Sequence, residues 1–213
     1  MKKFILPLLL LLAVGMLVAV ESAPSAVVGY VKYPCYAGNN MIALPMNQTI
    51  YTMASEVGAN VGVYTLSYFD GATQGWVSCN YIPDFDLWDG DFPVANGDQL
   101  MINATAAFDF YSIGSMPSTM PSYTLYVGNN TIMIPLNRSD LTLASGVGVD
   151  MGVYTLSYFD GATQGWVSCN YIPDFDLWDG DYDTAIGLPL MVNATAAGTW
   201  PTRASHNFNT KSK

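Results

Sequence analysis

GVYTLSYFDGATQGWVSCNYIPDFDLWDGD fills Gly62–Asp91, and the same thirty residues stand again at Gly152–Asp181. The match continues loosely beyond them, since Asn103–Ala107 reads NATAA and recurs at Asn193–Ala197. A long internal match at a fixed period indicates the duplication of one structural unit. The sequence therefore predicts two tandem copies of a single module.

The module boundaries follow from where this match fades. We expect module 1 over residues 28–107 and module 2 over residues 123–197, joined by a linker at 108–122 that contains Ser, Met and Pro. Residues 198–213 end in a stretch without an apolar period, which predicts a disordered tail.

Within each module the apolar residues alternate with a period of two. Val153–Phe159 alternates, Asp160-Gly161 is a turn signal, and Gly165–Tyr171 completes a hairpin. Leu141–Val147, preceded by the capping pair Ser139-Asp140, breaks this period and predicts one short helix in each module. The expected fold class is all-β with one short helix per repeat, as two tandem small β-sandwich or partly open barrel modules.

The order of these motifs resembles a repeat of secreted prokaryotic surface proteins. The chain reads GNNTIMIPLN at Gly128–Asn137, then a short Ala-Ser helix, then YFDGATQGWVS at Tyr158–Ser168. The resemblance implies an extracellular role associated with the cell envelope. A fainter similarity is to archaeal sheath proteins, which are small, acidic, Tyr-rich, β-rich secreted chains that assemble into tubes.

The first residues predict a secretory signal peptide at 1–23. A positive start at Lys2-Lys3 precedes an uncharged stretch at Phe4–Val20, and small residues follow up to Ala23. The alternative is an uncleaved membrane anchor, because the uncharged stretch approaches the length that crosses a bilayer core of about 30 Å. We expect cleavage, and therefore a secreted or cell-surface protein that is not integral to a membrane afterwards.

The charge balance excludes two classes of partner. Without residues 1–23, the chain has five basic and 16 acidic side chains, a net charge of −11. Nucleic acids and anionic lipid surfaces bind clustered Lys and Arg, so neither is an expected partner.

The sequence does not predict an enzyme. The single histidine, His206, lies in the predicted tail, so a Ser-His-Asp or Cys-His arrangement cannot be placed in a core. The chain also lacks a glycine-rich phosphate loop and the Cys and His spacing of a zinc site.

An acidic segment provides a candidate calcium site in each module. On a strand, Asp84 and Asp86 would share one face while Phe85 and Leu87 entered the core, and the oxygens of the following turn suit Ca²⁺. The alternative is a solvated strand face that ends in an Asp-Gly turn. No other cofactor is expected. The candidate ligands are Asp84, Asp86, Asp89, Asp91, Asp174, Asp176, Asp179 and Asp181.

The hairpin tip and its copy are the expected contact surface. Repeated Tyr and Trp side chains on a β-face suit stacking on sugar rings or on a neighbouring subunit. Two alternatives stay open: the aromatic residues belong to the core, or the identical repeat reflects only a recent duplication. The predicted binding or assembly residues are Tyr68, Asp70, Gln74, Trp76, Tyr158, Asp160, Gln164 and Trp166.

Three cysteines, Cys35, Cys79 and Cys169, are disulfide candidates in an exported protein. If Cys35 bridges Cys79, Cys169 is left to pair with another chain. The alternative is that all three are buried thiols.

The sequence as a whole predicts a secreted structural protein of the cell envelope. Identical tandem units, low charge and poorly guarded strand edges favour self-assembly into a sheath, a fibre or a surface layer, with the chain itself as partner. The alternative is a bivalent extracellular module that binds carbohydrate or a cell-surface ligand.

Overall fold

The structure is a computed structural model, and it describes residues 28–48 and 50–201. The signal peptide predicted at 1–23 lies outside the described residues. Module 1 contains the strands β1 (Val28–Cys35), β2 (Gly38–Ala43), β3 (Thr65–Asp70), β4 (Gly75–Ile82), β5 (Leu87–Asp89), β6 (Gln99–Ala104) and β7 (Phe108–Ser115), and the helix α1 (Ala54–Val61). Module 2 contains β8 (Tyr123–Leu125), β9 (Gly128–Met133), β10 (Thr155–Asp160), β11 (Gly165–Ile172), β12 (Leu177–Asp179), β13 (Pro189–Ala194) and β14 (Gly198–Trp200), and the helix α2 (Ala144–Met151).

Each module is a five-stranded antiparallel sheet covered by a helix and a two-stranded ribbon. The sheet of module 1 has the order β2-β6-β3-β4-β5, and its ribbon is β1-β7. The sheet of module 2 has the equivalent order β9-β13-β10-β11-β12, with the ribbon β8-β14. The predicted all-β class, with a short helix in each of two sandwich modules, is confirmed.

One face of each sheet forms the core. In module 1, Ile42, Leu66 and Ile102 have no exposed surface, and Ala54 and Val57 of α1 pack against them. Full burial of a Leu or Ile side chain stabilises the fold by about 1.5–3 kcal/mol. The ribbon adds the buried side chains Tyr33, Cys35 and Phe110.

The predicted hairpin is present in both modules. In module 2, β10 and β11 pair from Thr155–Asn170 to Asp160–Gly165. The carboxylate of Asp160 accepts hydrogen bonds from the Ala162 N–H at 2.9 Å and from the Thr163 hydroxyl at 2.8 Å. These bonds fix the turn and hold the pKa of Asp160 below its usual range.

The helix of module 2 begins later than the sequence predicts. It starts at Ala144 instead of Leu141, because the free N–H of Ser145 is capped by the distant Asp181 carboxylate at 2.9 Å and not by the local Ser139-Asp140 pair. Neither helix in the described part of the chain has the length and apolar character needed to span a membrane.

The predicted linker and tail both begin with a strand. Residues 108–115 of the expected linker are β7, whose alternating side chains pair with β1 in full register. In the expected tail, β14 pairs with β8, and Trp200 is buried while its Nε1–H donates to the Asp150 carboxylate at 2.7 Å. The prediction of a disordered tail is therefore wrong for residues 198–200, and residues 202–213 lie outside the described part.

Candidate interaction surfaces

The two hairpin tips bind the opposite module. The side-chain amide of Gln74 donates to the carbonyl of Asn129 at 2.9 Å and accepts from its N–H at 2.8 Å. In the reciprocal contact, the amide of Gln164 donates to the carbonyl of Asn39 at 2.9 Å and accepts from its N–H at 2.7 Å. Each glutamine therefore completes two backbone hydrogen bonds, as a neighbouring strand would.

A glycine beside each contact lets the glutamine approach the backbone. Gly128 has φ +104° and Gly38 has φ +100°, a region that other residues avoid. A Cβ atom at Gly128 would overlap the amide of Gln74, and one at Gly38 would overlap that of Gln164.

Two tyrosines repeat the same reciprocity. The Tyr33 hydroxyl of module 1 donates to the carbonyl of Gly187 at 2.8 Å, and the Tyr123 hydroxyl of module 2 donates to the carbonyl of Gly97 at 3.1 Å. Every one of these contacts has a counterpart ninety positions away in the sequence. The two modules therefore meet as the subunits of a two-fold dimer do, with the same surface used on both sides.

This arrangement changes the role of the predicted hairpin surface. Gln74 and Gln164 join the modules, while Asp70 and Asp160 hold their own turns. Tyr68 is half-buried and packs edge-on against Phe92.

The remaining members of that predicted set are the copies of Tyr68 and the two tryptophans. Tyr158 repeats the half-buried position and packs against Tyr182. Trp76 and Trp166 stay exposed, each with its ring edge-on to the phenylalanine across the hairpin. The structure therefore does not bring the eight residues together as one exterior surface.

The acidic segment is a turn and not a continuous strand. After β4, Pro83–Phe85 forms a 3₁₀ turn, and Asp86 has the left-handed φ of +50°. Proline favours this break because its φ is fixed and it has no N–H for the sheet. The prediction that Phe85 and Leu87 enter the core is wrong, since they are 77% and 53% exposed.

The aspartates of this segment have protein partners of their own. Asp86 accepts a hydrogen bond from the Tyr81 hydroxyl at 2.7 Å. Asp91 accepts from the N–H and the hydroxyl of Ser55, at 3.0 and 2.6 Å. Burial acts to raise the pKa of Asp91, but these hydrogen bonds hold that pKa below its usual range.

The candidate calcium ligands do not converge. Among residues 28–48 and 50–201, no three His, Cys, Asp or Glu side chains are grouped so that they could hold a metal ion. The turn at Pro83–Phe85 and its copy at Pro173–Phe175 separate the aspartates that a straight strand would align. The predicted calcium sites are therefore not assembled in this structure.

Aromatic and apolar side chains lie along β5 on both faces of the sheet edge, because Trp88 pairs with Tyr81 on the helix side while the neighbouring Leu87 points to the opposite face. The ring of Tyr81 lies 5.4 Å from that of Tyr64 and 5.3 Å from that of Trp88, measured between centroids. We call Tyr64, Tyr81, Phe85, Leu87 and Trp88 the edge patch of module 1, and Tyr154, Tyr171, Phe175, Leu177 and Trp178 the edge patch of module 2. Phe175 and Leu177 are 76% and 53% exposed, so the two patches match in geometry as well as in sequence.

Each edge patch lies along an open sheet edge. At one side of the first sheet, Asn39 of β2 binds Gln164 of the other module. At the opposite side, no strand among the described residues pairs with the outer side of β5. An open edge next to exposed apolar side chains is a template for pairing with another chain.

The sequence pattern alone does not single out Phe85 and Leu87, because they alternate with Asp84 and Asp86 as core residues of a strand do. Pro83 is the one signal that reveals them, since a proline in this position indicates a turn and removes the following residues from the ladder.

Negative charge surrounds each edge patch. Asp84, Asp86 and Asp89 are exposed beside the patch of module 1 and are repeated in module 2. Lys32 and Arg138, the basic side chains of the described part, bind acids elsewhere. Two edge patches therefore repel each other at low ionic strength, and salt screens that repulsion.

A polar row crosses the solvent face of each sheet. In module 1, cross-strand neighbours place Asn39, Asn103, Thr65, Asn80 and Asp89 in line. Neighbours in this row lie about 4.8 Å apart, the spacing between strands. The Asn103 amide donates to the Asn39 side chain at 2.8 Å. The row recurs in module 2 as Asn129, Asn193, Thr155, Asn170 and Asp179.

One pocket of about 340 Å³ lies where the modules meet. Its lining includes the rings of Phe69 and Tyr123 together with the polar side chains of Asp98 and Gln99. Burial raises the pKa of Asp98. Leu188 and Pro189 stand at the equivalent positions of module 2, so this combination of side chains is not repeated and a ligand here would bind once per chain.

The three cysteines are buried and free. The thiol of Cys79 lies 3.6 Å from the Asp91 carboxylate, and that of Cys169 lies 3.7 Å from Asp181. In this structure all three are buried thiols, which is one of the two alternatives that the sequence leaves open, and Cys35 and Cys79 are not bridged.

Comparisons of the chain with protein-family models, with curated proteins and with solved structures found no match. The resemblance to prokaryotic surface repeats and to sheath proteins therefore stays a prediction from the sequence.

Proposed function

We propose that this protein is an extracellular structural subunit that self-associates through its two edge patches. The observation that carries the proposal is the pairing of an open strand edge with exposed apolar side chains, present in identical form at β5 and β12. The predicted signal peptide at 1–23 supports export, and the identical modules support a repeated contact.

The two-fold relation of the modules makes each chain bivalent. The inner edges of the five-stranded sheets are occupied by the Gln74 and Gln164 contacts, which leaves one outer edge in each of these two sheets. An edge patch that pairs with its own copy forms a self-complementary contact. Because every chain has two such patches, the contact propagates from chain to chain into a linear assembly instead of stopping at a dimer.

Apolar burial drives the contact and charge opposes it. A Phe or Leu side chain contributes about 1.5–3 kcal/mol when it becomes fully buried. Phe85 and Leu87 supply two such side chains per patch, and the antiparallel pairing of β5 with its copy satisfies backbone groups at the open edge. The aspartates beside each patch repel one another, so we expect assembly above about 0.5 M salt, where the screening length falls to a few ångströms.

Electron microscopy of residues 24–213 at low and high salt tests the proposal. We expect filaments at high salt and none at low salt. Filaments should be lost at every salt concentration in the fourfold variant, which combines Phe85→Ser, Leu87→Ser, Phe175→Ser and Leu177→Ser. Its unfolding transition should stay close to that of the parent, because all four side chains are exposed. Trp76→Ser together with Trp166→Ser is the matched control, since it removes exposed aromatics outside the edge patches. Filaments that persist in the fourfold variant, or a parent that stays monomeric at all salt concentrations, would contradict the proposal.

The polar row favours a second candidate function, the bivalent binding of carbohydrate. Its amide side chains both donate and accept hydrogen bonds, as sugar hydroxyl groups require, and a row is present on each module. This function would be favoured over assembly by two results together. The parent would bind on a glycan array without forming filaments, and the double variant Asn80→Ala with Asn170→Ala would lose that binding. A parent protein that binds no glycan on the array would eliminate it.

A further inference from the structure

The positive charge of the chain after residue 27 divides into two groups. In the described part, Lys32 binds Asp109 at 2.8 Å, and Arg138 binds Asp140 at 3.0 Å and Asp150 at 2.9 Å. The remaining basic side chains are Arg203, Lys211 and Lys213. All the cationic charge that is not already paired in the described fold therefore belongs to residues 202–213.

Residues 202–213 match the edge patches in chemistry. The stretch TRASHNFNTKSK has three basic residues and no acidic one, and its one large apolar side chain is Phe208. The surroundings of an edge patch have the opposite charge. Three exposed aspartates lie beside its two exposed apolar side chains. A basic segment with a central aromatic residue is therefore complementary to it in both charge and apolar contact.

The position of Trp200 selects one of the two patches. Trp200 donates to Asp150 in the last turn of α2. Gly148, two residues earlier in that helix, lies directly against the ring of Trp178 in the edge patch of module 2. Residues two apart on a helix point to nearly opposite sides, so Trp200 and Trp178 flank α2, and the distance between them is set by the helix diameter of about 10–12 Å. The chain therefore leaves the fold beside α2, within about a helix width of the edge patch of module 2.

The length of the segment is sufficient for the contact. Phe208 follows Pro201 by seven residues, which reach about 24 Å when extended. In module 1 the chain after the equivalent ribbon strand continues into module 2 and is not available to the patch there.

We infer that residues 202–213 dock on the edge patch of module 2 of their own chain. Phe208 covers Phe175 and Leu177, and Lys211 and Lys213 lie beside the aspartates at positions 174, 176 and 179. At low salt the segment occupies the open edge of β12 and leaves the edge patch of module 1 free. Salt that screens the contact releases the segment, so both patches are open where we expect assembly. The inference stands on the charges and the geometry of one chain, and it holds whether or not chains assemble.

Zero-length crosslinking with a carbodiimide tests this docking. The reagent couples a lysine amine to a carboxylate in direct contact, and mass spectrometry of the monomer then identifies the joined peptides. Residues 24–213 at micromolar concentration and low salt should give crosslinks from Lys211 or Lys213 to the segment 174–179. Since the peptides of the two modules are identical in sequence, variants must separate them.

The repeat supplies a matched pair of variants. Asp174→Asn with Asp176→Asn and Asp179→Asn should reduce the crosslink yield at least fivefold. The same three changes at Asp84, Asp86 and Asp89 should leave it unchanged. Asparagine tolerates the left-handed φ of Asp176 and still accepts a hydrogen bond from Tyr171, so the fold is preserved.

Salt gives an independent readout of the same contact. The crosslink yield should fall several-fold at 0.5 M sodium chloride, about where screening shortens to a few ångströms. Equal loss in both sets of variants, no crosslink in the monomer, or crosslinks found only between chains would overturn the inference. Because the readout is made on the monomer, it is independent of filament formation and its failure is distinct from that of the proposed function.

Discussion

Gln74 and Asn129 form a two-point contact in which one side-chain amide pairs with both backbone polar groups of the other residue, at 2.9 and 2.8 Å. The same contact joins Gln164 to Asn39. A side chain at a hairpin tip thus extends the hydrogen bonding of the opposite sheet. The repeat sequence predicts that the hairpin tips form the exterior contact surface. In the structure they form the interface between the modules, and the exposed apolar surface lies at the other edge of each sheet.

Replacing Gln74 with alanine should lower the free energy of unfolding by about 2–4 kcal/mol, because three hydrogen bonds of about 0.5–1.5 kcal/mol each are lost, two to Asn129 and one to the Gly71 carbonyl. Gln164→Ala should have the same effect. The measurement is urea unfolding followed by tryptophan fluorescence. A change below 0.3 kcal/mol, roughly the error of such work, would show that the contact does not stabilise the pair of modules.

Gln74→Glu separates the two hydrogen bonds of this contact. At pH 7 the carboxylate accepts from the Asn129 N–H but faces the Asn129 carbonyl without a proton to donate. Once protonated, below about pH 4, the acid again donates and accepts. The unfolding free energy of Gln74→Glu, relative to that of Gln74→Ala, should therefore increase as the pH falls from 7 to 3.5.

Gly128→Ala should destabilise the protein by more than about 1 kcal/mol, since alanine at φ +104° is strained and its Cβ displaces Gln74. Gly146→Ala is the matched control. Gly146 lies in α2 with no atom within 4 Å of an added Cβ, so alanine there should stabilise the protein by about 0.5–1 kcal/mol. Thermal unfolding of both variants gives the comparison, and shifts of the same sign would contradict the close contact at Gly128.

Asp150 makes stability depend on pH. The hydrogen bond from Arg138 holds the pKa of Asp150 below its usual range, and the bond from Trp200 acts in the same direction. A lowered folded-state pKa contributes stability above the unfolded pKa of about 3.9, and this stability is lost as the pH falls through the folded value. Asp150→Asn should cost about 1 kcal/mol at pH 6, since the site is partly exposed, and less at pH 3.

Asp140→Asn is the control for this pH dependence. Asp140 also binds Arg138, but its side chain is 61% exposed, against 34% for Asp150. Its replacement should change the unfolding free energy less at either pH. An Asp150→Asn variant whose deficit stays constant from pH 6 to pH 3 would show that the charge of Asp150 does not contribute.

The three thiols should be inert in the folded protein. Burial raises the pKa of Cys79 to about 12 and that of Cys169 to about 11, and Cys35 is raised to about 11 by the same cause. Iodoacetamide at pH 8 should therefore modify none of them until urea unfolds the chain. Rapid labelling of the native protein, or a dimer band that reductant removes, would show that a thiol is reactive.

The sequence predicts the parts of the fold that depend on local order. The identical stretch beginning at Gly62 indicates the duplication, and Asp160-Gly161 gives the hairpin its register, because turn chemistry and alternation act between near neighbours. The start of α2 depends on Asp181, which follows Ser145 by thirty-six positions, and local patterns do not contain such a contact. The helix prediction is displaced for that reason.

The candidate surface is harder to predict because it depends on which faces of the modules meet. Gln74 has the character of an exposed loop residue, and only the arrangement of the two sheets places Asn129 within its reach. Phe85 and Leu87 alternate with aspartates as core residues do, and the break at Pro83 decides that they face solvent. An edge patch is thus a consequence of one proline and of the sheet order together.

Sedimentation velocity of Phe175→Ser with Leu177→Ser at high salt tests most directly whether the two edge patches make the chain bivalent. This variant has one intact edge patch, so it should stop at a dimer, while the parent grows into long assemblies and the variant with neither patch stays monomeric. Added to the parent in small amounts, it should also shorten the assemblies by ending their growth. Continued growth of the one-patch variant beyond the dimer, or the absence of any dimer, would contradict the account.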